Sequence, residues 1–165
     1  MGITGIVTNV EIDTLPIYQV DAFTTMLFSG NPAAVCVLAN PLSDTTMQAI
    51  ASENNLSETA FINISIDPFF IRWFTPVMEV NLCGHATLAA ARILFDDYLS
   101  PTTHEISFGS RSGILIAIKR DDLIFLDFPV DIPTKTNPIP TIQNGLGVNP
   151  ISTLRGKEDL VAVFE

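Results

Sequence analysis

Basic residues are scarce in this chain. Eight Lys plus Arg stand against 18 Asp plus Glu, a formal net charge of −10 at pH 7, and no basic cluster occurs along the 165 residues. Nucleic acid is therefore excluded as an expected partner, because phosphate binding draws its affinity from Lys and Arg. Charge of either sign is thin: 16% of residues are charged and 47% hydrophobic, where an average soluble domain carries about 25% charged residues. Such a chain needs elements covered on more than one side, or an interface that covers them. No segment approaches the ~18 uncharged apolar residues of a membrane helix, so no membrane span is expected. The opening "MGITGIVTNVEIDTLPIYQV" has neither a positive n-region nor an unbroken apolar core, which argues against a secretory signal. Ile6 stands where myristoylation needs Ser or Thr. The expected location is the cytoplasm. Only two cysteines occur, Cys36 and Cys83, far apart and in apolar contexts. Neither a zinc spacing nor a disulfide framework can be built from them, so both are expected as reduced thiols. With no glycine-rich phosphate loop either, no metal and no cofactor are implied.

What is present is a succession of short apolar elements, in a length that suits about one domain. "IYQVDAF" alternates, with Ile17, Val20 and Phe23 apolar around Asp21, and predicts a strand. After a turn signal at Gly30, Asn31 and Pro32, the apolar run "AAVCVL" predicts a second. Ser43 and Asp44 are N-cap candidates for a helix that places Met47, Ile50 and Ala51 on one face. Asn54 and Asn55 close it, so Glu53 falls in the last turn. "SETAFINISI" and "FFIRWFTP" return to strand character. In "VNLCGHATLAAARILF", a helix follows "CGH", and from Ala86 to Phe95 every side of it is apolar except at Arg92. A helix apolar all round is a buried helix. In a β-rich neighbourhood it is best covered by a sheet that curls around it. "HEISFGSRSGILIAIKRDDLIFLDFP" then shows three strand-like runs split by "GSRSG" and "KRDD", the pattern of an antiparallel meander. "VDIPTKTNPIPTIQNGLGVNP" has no apolar period and reads as a linker, and "LRGKEDLVAVFE" begins one more strand.

Taken together, "IYQVDAFTTMLFSGNPAAVCVL", "ASENNLSETAFI", "RWFTPVMEVNLCGHATLAAARILF" and "LDFP" resemble the phenazine-biosynthesis PhzF-like family of isomerases, within the diaminopimelate-epimerase-like fold. The resemblance covers about Ile17 to Pro129. It implies an α+β fold, a mixed sheet curled barrel-like around a central buried helix, as one of two pseudo-symmetric domains with the active site in the cleft between them. The expected organisation is an N-terminal extension over 1–16, a first domain over 17–133, and over 134–165 a linker with the first strand of a second domain that is mostly absent. The resemblance also implies catalytic Asp and Ser residues from that second domain, for which no position here stands.

By the same resemblance Glu53 is the catalytic carboxylate, moving a proton along a carbon framework as base and then acid. A carboxylate in a last helical turn feels the negative end of the macrodipole, and burial adds a desolvation cost; both raise its pKa toward the range useful for proton return. Glu58, where a strand begins, is the rival carboxylate and could simply face solvent. His85 and Gly84, at a helix start whose free N–H groups attract carboxylates, are expected to hold substrate, with Thr87, Ser57 and Asp21 in support. Thr59 could orient Glu53, while Asn31 fits turn chemistry equally well. Cys83 is a site-lining thiol whose position at a helix N-terminus would lower its pKa. His104 is expected at the surface. The function implied is a cofactor-independent isomerase acting on a small carboxylic acid. The alternatives are a racemase or epimerase working through Cys83, and a non-catalytic binding domain; a homodimer could cover the exposed interdomain face.

Overall fold

In a computed structural model, residues 14–26, 28–137, 139–157 and 159–165 are described. The expected N-terminal extension lies almost wholly outside them. The chain divides into two compact units, Met1–Phe128 and Pro129–Glu165.

The first unit contains a mixed sheet of eight strands. In chain order these are β1 (Ile17–Ala22), β2 (Asn31–Leu38), β3 (Glu58–Asn63), β4 (Phe69–Phe74), β5 (Glu79–Val80), β6 (Glu105–Ser110), β7 (Gly113–Arg120) and β8 (Leu123–Asp127). Side by side they run β1-β2-β3-β4-β6-β7-β8, with β5 paired to β4. The β2–β3 and β4–β6 pairs are parallel and the others antiparallel. Helix α1 (Asp44–Asn54) crosses between β2 and β3, and α2 (Gly84–Ile93) follows β5, continuing into a wider π turn over Leu94–Tyr98. Helix α2 packs against β1, β2, β3 and β8. Because β1 and β8 are the two ends of the strand order, one helix can touch both only if the sheet curls round it. The expected α+β architecture, a curled mixed sheet around a buried helix, is the one observed.

Alternation along the strands sorts side chains to the two faces. Val35 and Val37 of β2, Ala60 and Ile62 of β3, and Ile71 and Trp73 of β4 join Ala86, Ala89, Ala90 and Leu94 from α2 and its extension in one buried cluster. The alanines let the helix sit close inside the curl, and Leu94, wholly buried, supplies bulk at its end. The intervening residues Cys36, Leu38, Phe61 and Phe74 form a smaller cluster with Met47 and Ala51 of α1 on the outer face. Helix α1 begins as its sequence predicts: Ser43 is the N-cap and its hydroxyl accepts from the Thr46 N–H at 3.1 Å. It ends at Asn55, left-handed at φ 51°, whose N–H returns to the Ala51 carbonyl at 3.2 Å. On the outer face Arg72 reaches Glu79 through two bonds of 2.7 Å and Asp44 through one, and Arg111 also bonds Glu79. This group ties β4, β5, the start of α1 and the β6–β7 turn together.

The second unit departs from the expected linker. It holds β9 (Thr134–Thr136), a short helix α3 (Pro140–Leu146) and an antiparallel pair, β10 (Ser152–Arg155) and β11 (Leu160–Val163), with β9 on the other side of β10. The boundary falls after Phe128, not after residue 133. Strand β9 is three residues of Thr and Lys, too short to show a period, so its composition reads as loop. The single strand expected in "LRGKEDLVAVFE" is split into two by a turn in which the Gly156 N–H bonds the Asp159 carbonyl at 2.9 Å.

Candidate functional site

Helix α2 starts at Cys83, an N-cap residue in extended conformation (φ −146°, ψ 114°). The first intrahelical bond is from Thr87 N–H to the Cys83 carbonyl at 3.2 Å, so the amides before it have no helical partner. The apolar wheel of α2 forces this end to be covered by the sheet. What covers it is the beginning of β3, because β2 and β3 run parallel with Ala33 opposite Glu58.

Glu58, Ala60 and Ile62 share one face of β3 by period two, and that face meets α2. The carboxylate of Glu58 consequently lies 3.3 Å from His85 Nε2. Ser57 Oγ is 3.2 Å from the same nitrogen and donates to the Pro32 carbonyl at 3.3 Å. On the other side of the ring, Cys83 Sγ is 3.4 Å from Nδ1. His85 and Cys83 are buried and Glu58 is half-buried, while Ser57 is exposed, so the cluster opens to solvent on the Ser57 side. Phe128 closes over the helix start, where a Cβ on Gly84 would stand 3.4 Å from its ring.

The structure distributes the other predicted residues differently. Glu53 is exposed in the last turn of α1, on the outer side of the sheet, away from the face that carries His85. Asn54, beside it, donates from Nδ2 to Thr59 Oγ1 at 3.4 Å, so Thr59 faces α1 and not α2. Thr87 is fully buried and its hydroxyl donates to the Cys83 carbonyl at 2.6 Å; its one proton serves the helix start and not a ligand. Asp21 is half-buried in the wall of a different groove, of about 750 Å³, shared with Phe23, Met26, Leu88, Arg92 and Leu123. Asn31 is exposed at the first position of β2, and His104 is exposed just before β6. Cys36 is buried on the outer face.

The expected lowering of the Cys83 thiol is reversed. Burial pushes it up to about 12, and the nearby Glu58 carboxylate adds to this, against the pull of the Ala86 and His85 N–H groups. Desolvation outweighs the helix N-terminus here because the thiolate would lose water on nearly all sides. Cys36 is pushed to about 12 by burial alone.

Among the described residues Glu58, Cys83 and His85 form a close group, with one atom from each lying within 4.8 Å of the others. His85 has Nδ1 near the thiol and Nε2 near the carboxylate, and the thiol also lies close to the carboxylate itself, so the three form a compact hydrogen-bonding group. What it can do chemically is take a proton at Glu58, steady that carboxylate with an imidazole N–H, and present the positive end of α2 to an anion. The residue that sequence reasoning undervalued is Glu58. Its signal was available: it has the same parity as Ala60 and Ile62, the apolar residues of the strand that face the buried helix.

No described helix is long and apolar enough to cross a membrane. A relative from Halalkalibacterium halodurans, named as an uncharacterized isomerase, is 51% identical over 148 residues, covering 88% of this chain and 56% of its own length. A second uncharacterized isomerase, from Pseudomonas aeruginosa, is 45% identical over 151 residues, covering 92% of this chain and 58% of its own. The crystal structure of an Enterococcus faecalis phenazine biosynthesis protein of the PhzF family superposes with a TM-score of 0.77 at 43% identity, over 92% of this chain and 57% of that one. The chain thus spans about half the length of the relatives it matches. The family model described as phenazine biosynthesis-like protein matches residues 20–138, which hold the curled sheet from the middle of β1 onward, its central helix and the Glu58–His85 pair, and the chain belongs to that family.

Proposed function

We propose that this chain carries the proton-moving part of a cofactor-independent isomerase site, in which Glu58 removes a proton from one carbon of a small carboxylic acid and returns it to another. The observation that carries the reading is the 3.3 Å contact between the Glu58 carboxylate and His85 Nε2 at the start of α2. In the first step the substrate C–H bond breaks, its proton passes to Glu58 Oε2, and the electron pair stays on the substrate as an enolate-like anion. In the second, Glu58 gives the proton back at a different carbon and is regenerated as carboxylate, so no oxidant, metal or external acid enters the balance. His85 keeps the carboxylate oriented, and the positive end of α2 attracts the substrate's own carboxylate.

Glu58 takes the role expected of Glu53 because reach decides before acidity. A side chain on the exposed outer side of the sheet cannot share a substrate with His85. The names of the two isomerase relatives support the reaction class, and since the chain spans 56% and 58% of them, the activity of the whole relatives comes to this chain as a proposal. The reading that makes Cys83 a racemase base loses support from the thiol's rise to about 12, which leaves almost no thiolate at neutral pH.

The test is incubation of the purified chain in D₂O with a panel of small 2-amino, 2-hydroxy and enoic acids, followed by mass spectrometry and proton NMR. Deuterium appearing at carbon in at least one acid, with the double bond or hydrogen relocated, supports the reading. No incorporation in any member overturns it for this chain.

A further inference from the structure

The hydrogen bonds around His85 can be assigned from donor and acceptor counting alone. A serine hydroxyl has one proton, and the Ser57 proton is committed to the Pro32 carbonyl, which can only accept. Toward His85 Nε2, 3.2 Å away, Ser57 Oγ must then accept. The ionised Glu58 carboxylate, 3.3 Å from the same nitrogen, is also an acceptor only. Two acceptors converging on one ring nitrogen require that it carry the hydrogen. In a neutral imidazole the other nitrogen, Nδ1, is then bare and needs a donor. The group next to it is the Cys83 thiol, 3.4 Å away and buried; the Glu58 carboxylate competes for the same proton but already has the Nε2–H beside it, whereas Nδ1 has no other donor among the described contacts.

We infer that Cys83 is a positioning residue: its S–H donates to His85 Nδ1 and holds the neutral ring in the tautomer whose Nε2–H points at Glu58 and Ser57. This rests on the Glu58 and His85 reading above and gives a role to the thiol that the reading leaves idle. The thiol retains its proton at neutral pH because burial opposes the thiolate, so the donor is always present. Its place is fixed as well: Cys83 is the N-cap of α2, and Thr87 bonds its carbonyl at 2.6 Å. The consequence is that a group expected to be a nucleophile or base acts through another residue, keeping an N–H on the substrate side of the ring throughout the proton transfer.

The chain has two histidines, His85 and the exposed His104, so the ring nitrogens can be assigned directly. The full chain is labelled with ¹⁵N-histidine and its two-bond ¹H–¹⁵N correlations recorded at pH 7.5, with His104 as the internal solvent-exposed reference. The expected result is a single neutral tautomer of His85, protonated at Nε2, with Nδ1 shifted from a free pyridine-like nitrogen by the thiol. Cys83→Ala removes that Nδ1 shift and lowers proton exchange into substrate by roughly 10- to 100-fold, the scale of a misplaced catalytic group. Cys83→Ser, which keeps a donor, restores both. A ring protonated at Nδ1 or on both nitrogens overturns the inference, as does an unchanged Nδ1 signal in Cys83→Ala. An Nε2–H tautomer with the thiol shift, in a chain that exchanges no proton with any acid, supports the hydrogen bond and overturns the acid/base reading beneath it, so the two failures are separable.

Discussion

The two faces of the curled sheet are built from the same strands and do different things. The inner face closes on α2 from both edges of the sheet, so the side chains there are surrounded. Among the described residues the outer face is covered in part by α1, with Leu15 and Leu42 packed beside it, and ion pairs run around Arg72 and Glu79. Glu53 and Glu58, five positions apart, fall on opposite sides of this divide. Glu53 ends an outer helix in solvent, and Glu58 begins an inner-facing row that leads to His85. The lesson is that the period of a strand decides which carboxylate meets the buried helix, and that Glu53, for which burial was expected, stands in solvent.

The difference between the faces can be broken first by cavities. Leu94→Ala, at the inner end of the helix, is expected to cost about 3–5 kcal/mol, because a ring of sheet on all sides cannot collapse into the void. Met47→Ala on the outer face is expected to cost about 2–3 kcal/mol, since α1 can settle toward the sheet. Urea unfolding of both variants checks the order; equal losses would mean the two clusters are equally rigid. Next comes the ion-pair group. Arg72→Ala strips half-buried Glu79 of two of its bonds and should cost about 2–4 kcal/mol. Asp44→Asn, at the exposed end of the same group, should leave the urea midpoint nearly unmoved. A large loss from Asp44→Asn would show that α1 is held by this bond and not by its apolar face.

The two faces can also be compared through pH. Cys36, outer, and Cys83, inner, are both raised from 9.0 to about 12, so the folded chain keeps protons that the unfolded chain releases. Their contribution to stability is full below pH 9.0 and is lost as pH rises toward 12. Urea midpoints measured from pH 8 to 11 should fall, and less steeply in a Cys36→Ala, Cys83→Ala double variant than in the wild type. Identical slopes would place the alkaline sensitivity elsewhere.

Much of the first unit was legible in the sequence for definite reasons. The all-round apolar stretch from Ala86 to Phe95 can only be an enclosed helix, and a single enclosed helix among strands implies a sheet that bends round it. The cap at Ser43 and the left-handed Asn55 were readable because both depend on side chains acting within one turn. The second unit was not legible: β9 is three residues long, and α3 runs through Gly145 within seven. At the site, Cys83, His85 and Ser57 were found because a helix start and a turn are local features. Glu58 was ranked behind Glu53 because its place beside His85 depends on the register of β3 against β2 and on which face the central helix occupies, both of which are tertiary facts. The Cys83 thiol was misjudged for a related reason, since the helix N-terminus is visible in sequence and the burial that outweighs it is not.

The central claim is that the carboxylate on the inner face, and not the one on the outer helix, moves the proton. The direct measurement is the rate of deuterium incorporation from D₂O into an accepted acid, compared between Glu58→Gln and Glu53→Gln at matched folding by circular dichroism. The account predicts that Glu58→Gln lowers the rate by about 10²–10⁴-fold, the usual contribution of a general base, while Glu53→Gln stays within about two-fold of wild type, as a solvated group should. Retained exchange in Glu58→Gln, with loss in Glu53→Gln, would contradict it.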